Sequence, residues 1–230
     1  MSGGETGALG AADRLPLSVT WLGRLAYAEA LTLQESLLAR KIADPDEPDT
    51  LLLLEHPPVY TIGRTPDRSS LRDAAALPYP LVVTGRGGQA TYHGPGQLIG
   101  YPILDLKSRG QDLHRYLRTL EEMLIAICAC LGVAGQRREG LTGVWIGEKK
   151  IASIGVGVRR WISMHGFALN VGGDLGPYRA ITPCGIADVK MTSLEHEAGR
   201  AIAVETVAKI AAELADVHLR RDVAPAGSKV

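Results

Sequence analysis

Apolar positions recur along this chain with two spacings, one near every second residue and one near every third or fourth, and the changes between them mark its elements. Residues 17–21 read as an edge strand. From 24 to 40, Tyr27, Leu31, Leu37 and Leu38 share a helical face that Asp44 and Pro45 bring to an end. Residues 50–54 are an unbroken apolar run, the pattern of a strand covered on both faces, and the EHPPVYTIGR that follows is held extended by its two prolines. Glu55 and His56 fall at that strand end, where a structural hydrogen-bonding role is the ordinary outcome. Residues 81–84 read as a second buried strand and 97–103 as a third, which makes 86–96 a loop between strands.

Asp112 is placed to cap a helix on which Leu113, Leu117, Leu120, Leu124, Ile127 and Leu131 line one face, with Gly132 beyond its end. Residues 142–146 and 150–158 form a predicted hairpin about Gly147-Glu148-Lys149, and 163–171 continue the sheet as an antiparallel strand. Thr192 and Glu195 have capping-box spacing and open a short helix that stops near Gly199, while Val207, Ile210, Ala211 and Leu214 give 204–217 an apolar face. Strands that follow one another without intervening helices predict an α+β fold, a mixed and largely antiparallel sheet with packed helices. One domain spanning 15–218 is expected, between a disordered tail at 1–14 and a loose one at 219–230. No internal repeat is visible.

Composition narrows the function. The chain has 230 residues, 46% hydrophobic, enough for one sizeable core. Lys+Arg 25 balance Asp+Glu 25, which argues against nucleic acid or an anionic membrane as the main partner. No apolar run approaches the roughly 20 residues a membrane helix needs. An odd number of cysteines (Cys128, Cys130, Cys184) behind an opening with no signal-peptide core points to a reducing, cytoplasmic setting.

The densest chemistry lies in three places. RGGQATYHGPGQLIGYP, 86–102, has seven glycines and prolines among seventeen residues, together with Arg86, His93 and Gln97, and suits a rigid ligand-shaped loop. Cys184 stands between Pro183 and Gly185, where a ligand can approach the backbone, and is the candidate nucleophile; a buried packing cysteine is the bland reading. Lys150 falls by alternation on the face of Ala152, Ile154, Val156 and Val158, opposite Ser153, Gly155 and Gly157. It is either a rim lysine that snorkels outward or a desolvated partner for a thiolate. Cys128 and Cys130, two apart in a helix, read as packing residues. His93, His165 and Asn170 leave a Cys/His/Asn arrangement open. No closed metal-ligand spacing and no phosphate-binding glycine motif is present, so neither metal nor cofactor is expected.

Taken in order, RGG-x4-HGPGQL-x-GYP, KIASIGV, HGFALN and PCGI closely resemble the octanoyltransferase family of lipoate biosynthesis over residues 21–214. The resemblance implies an acyltransferase that moves an octanoyl (or lipoyl) group from acyl carrier protein to a lysine amine through a thioester. Its acceptors would be lipoyl domains of 2-oxoacid dehydrogenases and the glycine cleavage H protein, and it would need no ATP. It further implies a fold similar to the catalytic domain of biotin and lipoate ligases. Cys184 matches the family's acylated cysteine and Lys150 its paired lysine. The acyl-binding segments match Arg86, Gly87, Gly88, Gln89, Ala90, Thr91, Tyr92 and His93, then Ser153, Ile154 and Gly155, then Gly166, Phe167 and Ala168. Alternatives are an ATP-dependent lipoate ligase of the same fold, a non-catalytic carrier-binding module, and a Cys/His hydrolase.

Overall fold

The computed structural model describes residues 17–220. The tails expected at 1–14 and 219–230 lie outside the described residues, except that Leu219 and Arg220 close the last helix. In chain order the elements are β1 (Leu17–Arg24), α1 (Tyr27–Ala43), β2 (Asp49–Glu55), β3 (Val59–Ile62), β4 (Leu81–Val83), β5 (Thr91–His93), β6 (Gln97–Ile103), α2 (Leu113–Cys130), β7 (Gln136–Arg138), β8 (Leu141–Ile146), β9 (Lys149–Arg159), β10 (Ile162–Asn170), β11 (Lys190–Met191), α3 (Leu194–Ala198) and α4 (Val204–Leu219).

The main sheet runs β1-β2-β6-β10-β9-β8-β7, with β11 also paired to β9. Only β1–β2 and β9–β11 are parallel, so the mixed, largely antiparallel α+β architecture expected from the sequence is the one found. One face is covered by α2 and α4 over a core that includes Leu51, Leu98, Leu120, Ile151 and Phe167. Helix α1 covers the other face over Leu52, Leu54, Ile99 and Ala168. Helix α1 begins three residues later than its apolar spacing predicts, because β1 continues to Arg24 and Leu25 still donates to the Glu55 carbonyl.

A second sheet, ordered β4-β3-β5, corrects the sequence reading in two places. The stretch 86–96 is not all loop: Thr91–His93 pairs antiparallel with Val59–Ile62. Residues 81–83 are not buried but form the edge of this small sheet, with Val83 63% exposed. Runs of three or four residues among glycines and prolines carry too little period-two signal to be seen as strands. Tyr60, Ile62, Ala90, Tyr92 and Tyr178 make its core.

Two further corrections are local. Helix α3 is capped by Ser193, whose Oγ accepts the His196 N–H, and not by Thr192; Glu195 instead accepts the Ile202 N–H. Cys128 is buried as expected, its thiol pushed up to about 12 by burial, but Cys130 is exposed, since residues two apart on a helix face different ways. Glu55 and His56 are structural: Glu55 accepts the Gly96 N–H at 2.7 Å, and His56 bridges the Leu25 carbonyl and the Tyr101 hydroxyl, each at 2.7 Å. No helix among the described residues is long and apolar enough to cross a membrane.

Candidate active site

Cys184 lies in a short 3-10 turn, Pro183–Gly185, with left-handed backbone angles (φ 56°, ψ 17°), and Gly185 follows at φ 70°. A non-glycine residue held in this region is strained by roughly 1–3 kcal/mol, and such strain persists only where the surroundings fix it. Here they do. The Cys184 N–H donates to the Ala90 carbonyl at 2.9 Å, and Thr182 N–H donates to the Ser70 carbonyl at 2.7 Å. Ser70, 1% exposed, also takes the Ala90 N–H on its Oγ at 3.1 Å and donates to Gln89 Oε1 at 2.9 Å. One serine thus ties the Gly-rich segment to the cysteine turn. Its 3-10 turn, Ser69–Leu71, is without periodic signal, which is why the sequence gives no hint of it.

Lys150 is 1% exposed, so the outward-snorkelling alternative does not hold. Its Nζ donates to Cys184 Sγ at 3.3 Å and to the Thr142 carbonyl at 3.0 Å, and lies 5.2 Å from the Trp145 ring centroid. No carboxylate pairs with it among the described residues, which leaves a carbonyl, a π face and the sulfur as the partners of its Nζ. Simple alternation puts Lys150 on the wrong face. Trp145 pairs with Lys150 and Val144 with Ala152, leaving Ile151 as an extra residue of β9. That bulge lets Ile151 and Ala152 both enter the core and turns Lys150 to the side of Ser153, whose Oγ is 3.7 Å from Cys184 Sγ.

The pair opens on a cavity of about 390 Å³, within the usual range of small-molecule sites. Of the residues expected there, Arg86, Gly87, Gly88, Gln89, Thr91, His93, Ser153, Ile154, Gly155, Gly166, Phe167 and Ala168 line it with Cys184 and Lys150. Ala90 and Tyr92 do not. Tyr92 on β5 and Ala90 just before it alternate away from the cavity, into the small sheet's core, and Ala90 contributes only its carbonyl to the cysteine turn. The wall depends on glycine. A Cβ on Gly63 would come within 2.3 Å of the Gly88 oxygen and 2.6 Å of the Arg86 oxygen, and one on Gly166 within 2.2 Å of the Gly100 oxygen. Gly63, outside the residues expected from sequence, is what lets the Gly-rich segment lie against β3.

The far wall carries a buried cation and neutral histidines. Arg86 donates from Nη2 to the Thr61 carbonyl and Oγ1, both at 2.8 Å, and from Nη1 to the Gly87 carbonyl at 2.9 Å. His93 shares a 2.7 Å hydrogen bond with Gln97 Oε1 through Nδ1, and burial, reinforced by His56, holds it neutral down to about 3. Burial and then Arg86 lower His165 to about 4. Asn170 exchanges hydrogen bonds with Gln97 and Thr192, not with a histidine. The Cys/His/Asn arrangement is therefore not assembled: the hydrogen-bond partners of the sulfur are Lys150 and Ser153. No group of three His, Cys, Asp or Glu side chains suited to a metal occurs among the described residues.

The lipoyl protein ligase A/B catalytic domain matches residues 26–214. The chain is 55% identical over 200 residues to an octanoyltransferase of Geobacter sulfurreducens, covering 86% of this chain and 83% of that one. It is 54% identical over 186 residues to an octanoyltransferase of Syntrophotalea carbinolica, covering 81% and 86%. In fold it is similar to the bipartite lipoate protein ligase of Thermoplasma acidophilum, with a TM-score of 0.67 at 18% identity over 89% of this chain and 84% of that one. With the domain matched across most of its length and relatives more than half identical to it, this chain belongs to the lipoyl protein ligase A/B catalytic domain family, among the octanoyltransferases.

Proposed function

We propose that this protein transfers an octanoyl group from acyl carrier protein to the lysine amine of a lipoyl domain, through a thioester on Cys184. The observation that carries the reading is the 3.3 Å contact between Nζ of the buried Lys150, with which no carboxylate among the described residues pairs, and the Cys184 sulfur in the lining of a cavity.

The steps balance without a cofactor. With Lys150 as ammonium beside it, the Cys184 thiolate attacks the carrier thioester, and the new C–S bond forms as the carrier sulfur leaves with the Lys150 proton. Lys150, now an amine, takes a proton from the lysine nitrogen of the acceptor as that nitrogen attacks the acyl-enzyme. The C–S bond breaks, the amide forms, and thiolate and ammonium are restored. The Cys184 N–H is already donated to Ala90, so the oxyanion of each tetrahedral intermediate falls to other donors, of which Lys150 Nζ and Ser153 Oγ are next to the sulfur. The acyl chain runs along the cavity wall at Gly155, Gly166 and Ala168, none of which carries a side chain longer than a methyl.

An ATP-dependent ligase has the same fold, and the test separates the two. Incubation with octanoyl-carrier and no ATP gives a protein heavier by one octanoyl group, absent in Cys184→Ala, and added lipoyl domain discharges it as an octanoyl amide. No adduct, or an equal adduct on Cys184→Ala, overturns the reading. Release of free octanoate in place of amide identifies a hydrolase.

A further inference from the structure

Glu121 sits in the middle of α2 and is completely buried, an uncommon place for a carboxylate. Two arginines neutralise one of its oxygens: Oε2 accepts from Arg118 Nη1 at 2.6 Å and Arg137 Nε at 3.0 Å. The other oxygen is not used for charge pairing. Oε1 accepts the backbone N–H of Gly143 at 3.0 Å, on β8, 22 residues away.

That N–H belongs to the same peptide unit as the Thr142 carbonyl, the group that accepts from Lys150 Nζ at 3.0 Å. A peptide unit is planar, and in the trans form its N–H and C=O point in opposite directions, so holding one end aims the other. A carboxylate on the N–H also polarises the unit and makes its carbonyl a stronger acceptor. The unit is pressed against the lysine it serves. Gly143 has φ 122°, and a Cβ there would come within 2.5 Å of the Ala152 oxygen and 2.8 Å of Lys150 Cε.

We infer that Glu121 is a positioning residue for the transfer reaction, setting Lys150 against Cys184 through the Thr142–Gly143 peptide without touching either side chain. The inference rests on the acyl-transfer reading of that pair. It assigns to α2 a part in the chemistry, and gives a reason for a buried carboxylate in an otherwise apolar helix face.

The test uses the full chain and follows iodoacetamide modification of Cys184 by peptide mass spectrometry across pH, together with kcat, KM for octanoyl-carrier and melting temperature. Glu121→Met removes the acceptor at similar volume. It slows Cys184 modification at neutral pH and lowers kcat by about tenfold, well short of losing Lys150 itself, with KM unchanged. Glu121→Gln retains an acceptor oxygen and restores both towards the parent. Leu120→Ala, a core truncation one residue away, lowers the melting temperature without moving the modification profile. A parent-like profile and kcat in Glu121→Met overturn the inference, as does an equal shift in Leu120→Ala. Should Glu121→Met not fold, amide hydrogen exchange in the parent decides: slow exchange at Gly143 supports the inference, and exchange at the rate of a surface turn ends it. Lys150→Met keeps the two readings apart. If it too leaves the modification profile unmoved, the acyl-transfer reading fails; if it shifts the profile and Glu121→Met does not, only the role of Glu121 fails.

Discussion

Cys184 donates its backbone N–H to the carbonyl of Ala90 at 2.9 Å, which joins the nucleophile's turn to the Gly-rich wall of the cavity. Displacing that wall therefore displaces the sulfur. Gly63 is where the wall is most easily displaced, because a methyl there meets backbone oxygens of Gly88 and Arg86 that cannot swing aside. Gly63→Ala is expected to cost about 1–3 kcal/mol in chemical denaturation and to raise KM for the acyl donor. Unchanged stability and KM would mean that the segment can shift without loss.

Lys150 is asked both to carry positive charge and to take up a proton. Lys150→Arg separates the two, since a guanidinium keeps its charge but does not deprotonate. A single-turnover experiment should still give the Cys184 thioester, more slowly because the carrier sulfur must then leave as a thiolate held by the guanidinium, while amide formation falls by about 10²–10⁴. Lys150→Met loses both steps. Multiple turnover at the parent rate in Lys150→Arg would rule out the base role.

Buried neutral histidines make the fold sensitive to acid. His93 and His165 protonate at about 3 and about 4 in the native state, against 6.5 for an unperturbed side chain. Between those limits the unfolded chain binds more protons than the native one. Stability is therefore whole above pH 6.5 and declines as pH falls towards 4, by at most about 1.4 kcal/mol per pH unit for each histidine. His165→Gln removes one of the two contributions. Urea denaturation of parent and variant at neutral and mildly acid pH should show a shallower decline in the variant, and equal slopes would refute the assignment.

Chain-length preference should follow the buried methylenes. At about 0.8 kcal/mol for each CH₂, a hexanoyl donor loses about 1.6 kcal/mol, or roughly fifteenfold in kcat/KM, relative to octanoyl. Gly155→Ala presses the added carbon on Arg86 Cδ at 3.1 Å and on the Gly87 carbonyl oxygen at 3.2 Å, contacts that a few tenths of an ångström of movement in the Gly-rich wall relieve at the expense of the cavity. The variant should stay folded and lose more activity with octanoyl than with hexanoyl donor in competition assays.

Both side chains of the Cys184–Lys150 contact stand out in the sequence, for different reasons. Cys184 stood out because proline and glycine flank it, and Lys150 because it interrupts an apolar strand. The face on which Lys150 lies was not legible, since one extra residue at Ile151 reverses the alternation and leaves no compositional trace. Ser70, Gly63 and Glu121 were missed because each acts through the backbone of a residue distant in sequence. Strands β1, β2, β6, β8, β9 and β10 of the main sheet followed from longer runs with clear patterning, whereas the two- and three-residue β11 and β7, and the small sheet set among glycines and prolines, were lost.

The reactive pair also spans a seam. Lys150 belongs to the eight-stranded sheet, while the turn carrying Cys184 is anchored to Ala90, which precedes β5 and packs in the core of the small one. Neither sheet alone brings Lys150 Nζ to Cys184 Sγ, so their 3.3 Å contact exists only once the two have docked. On the acyl-transfer reading, an incompletely folded chain lacks the pair and does not capture acyl groups from the carrier pool. The capacity to be acylated is in this way a certificate of assembly, issued by the tertiary structure before any substrate is committed.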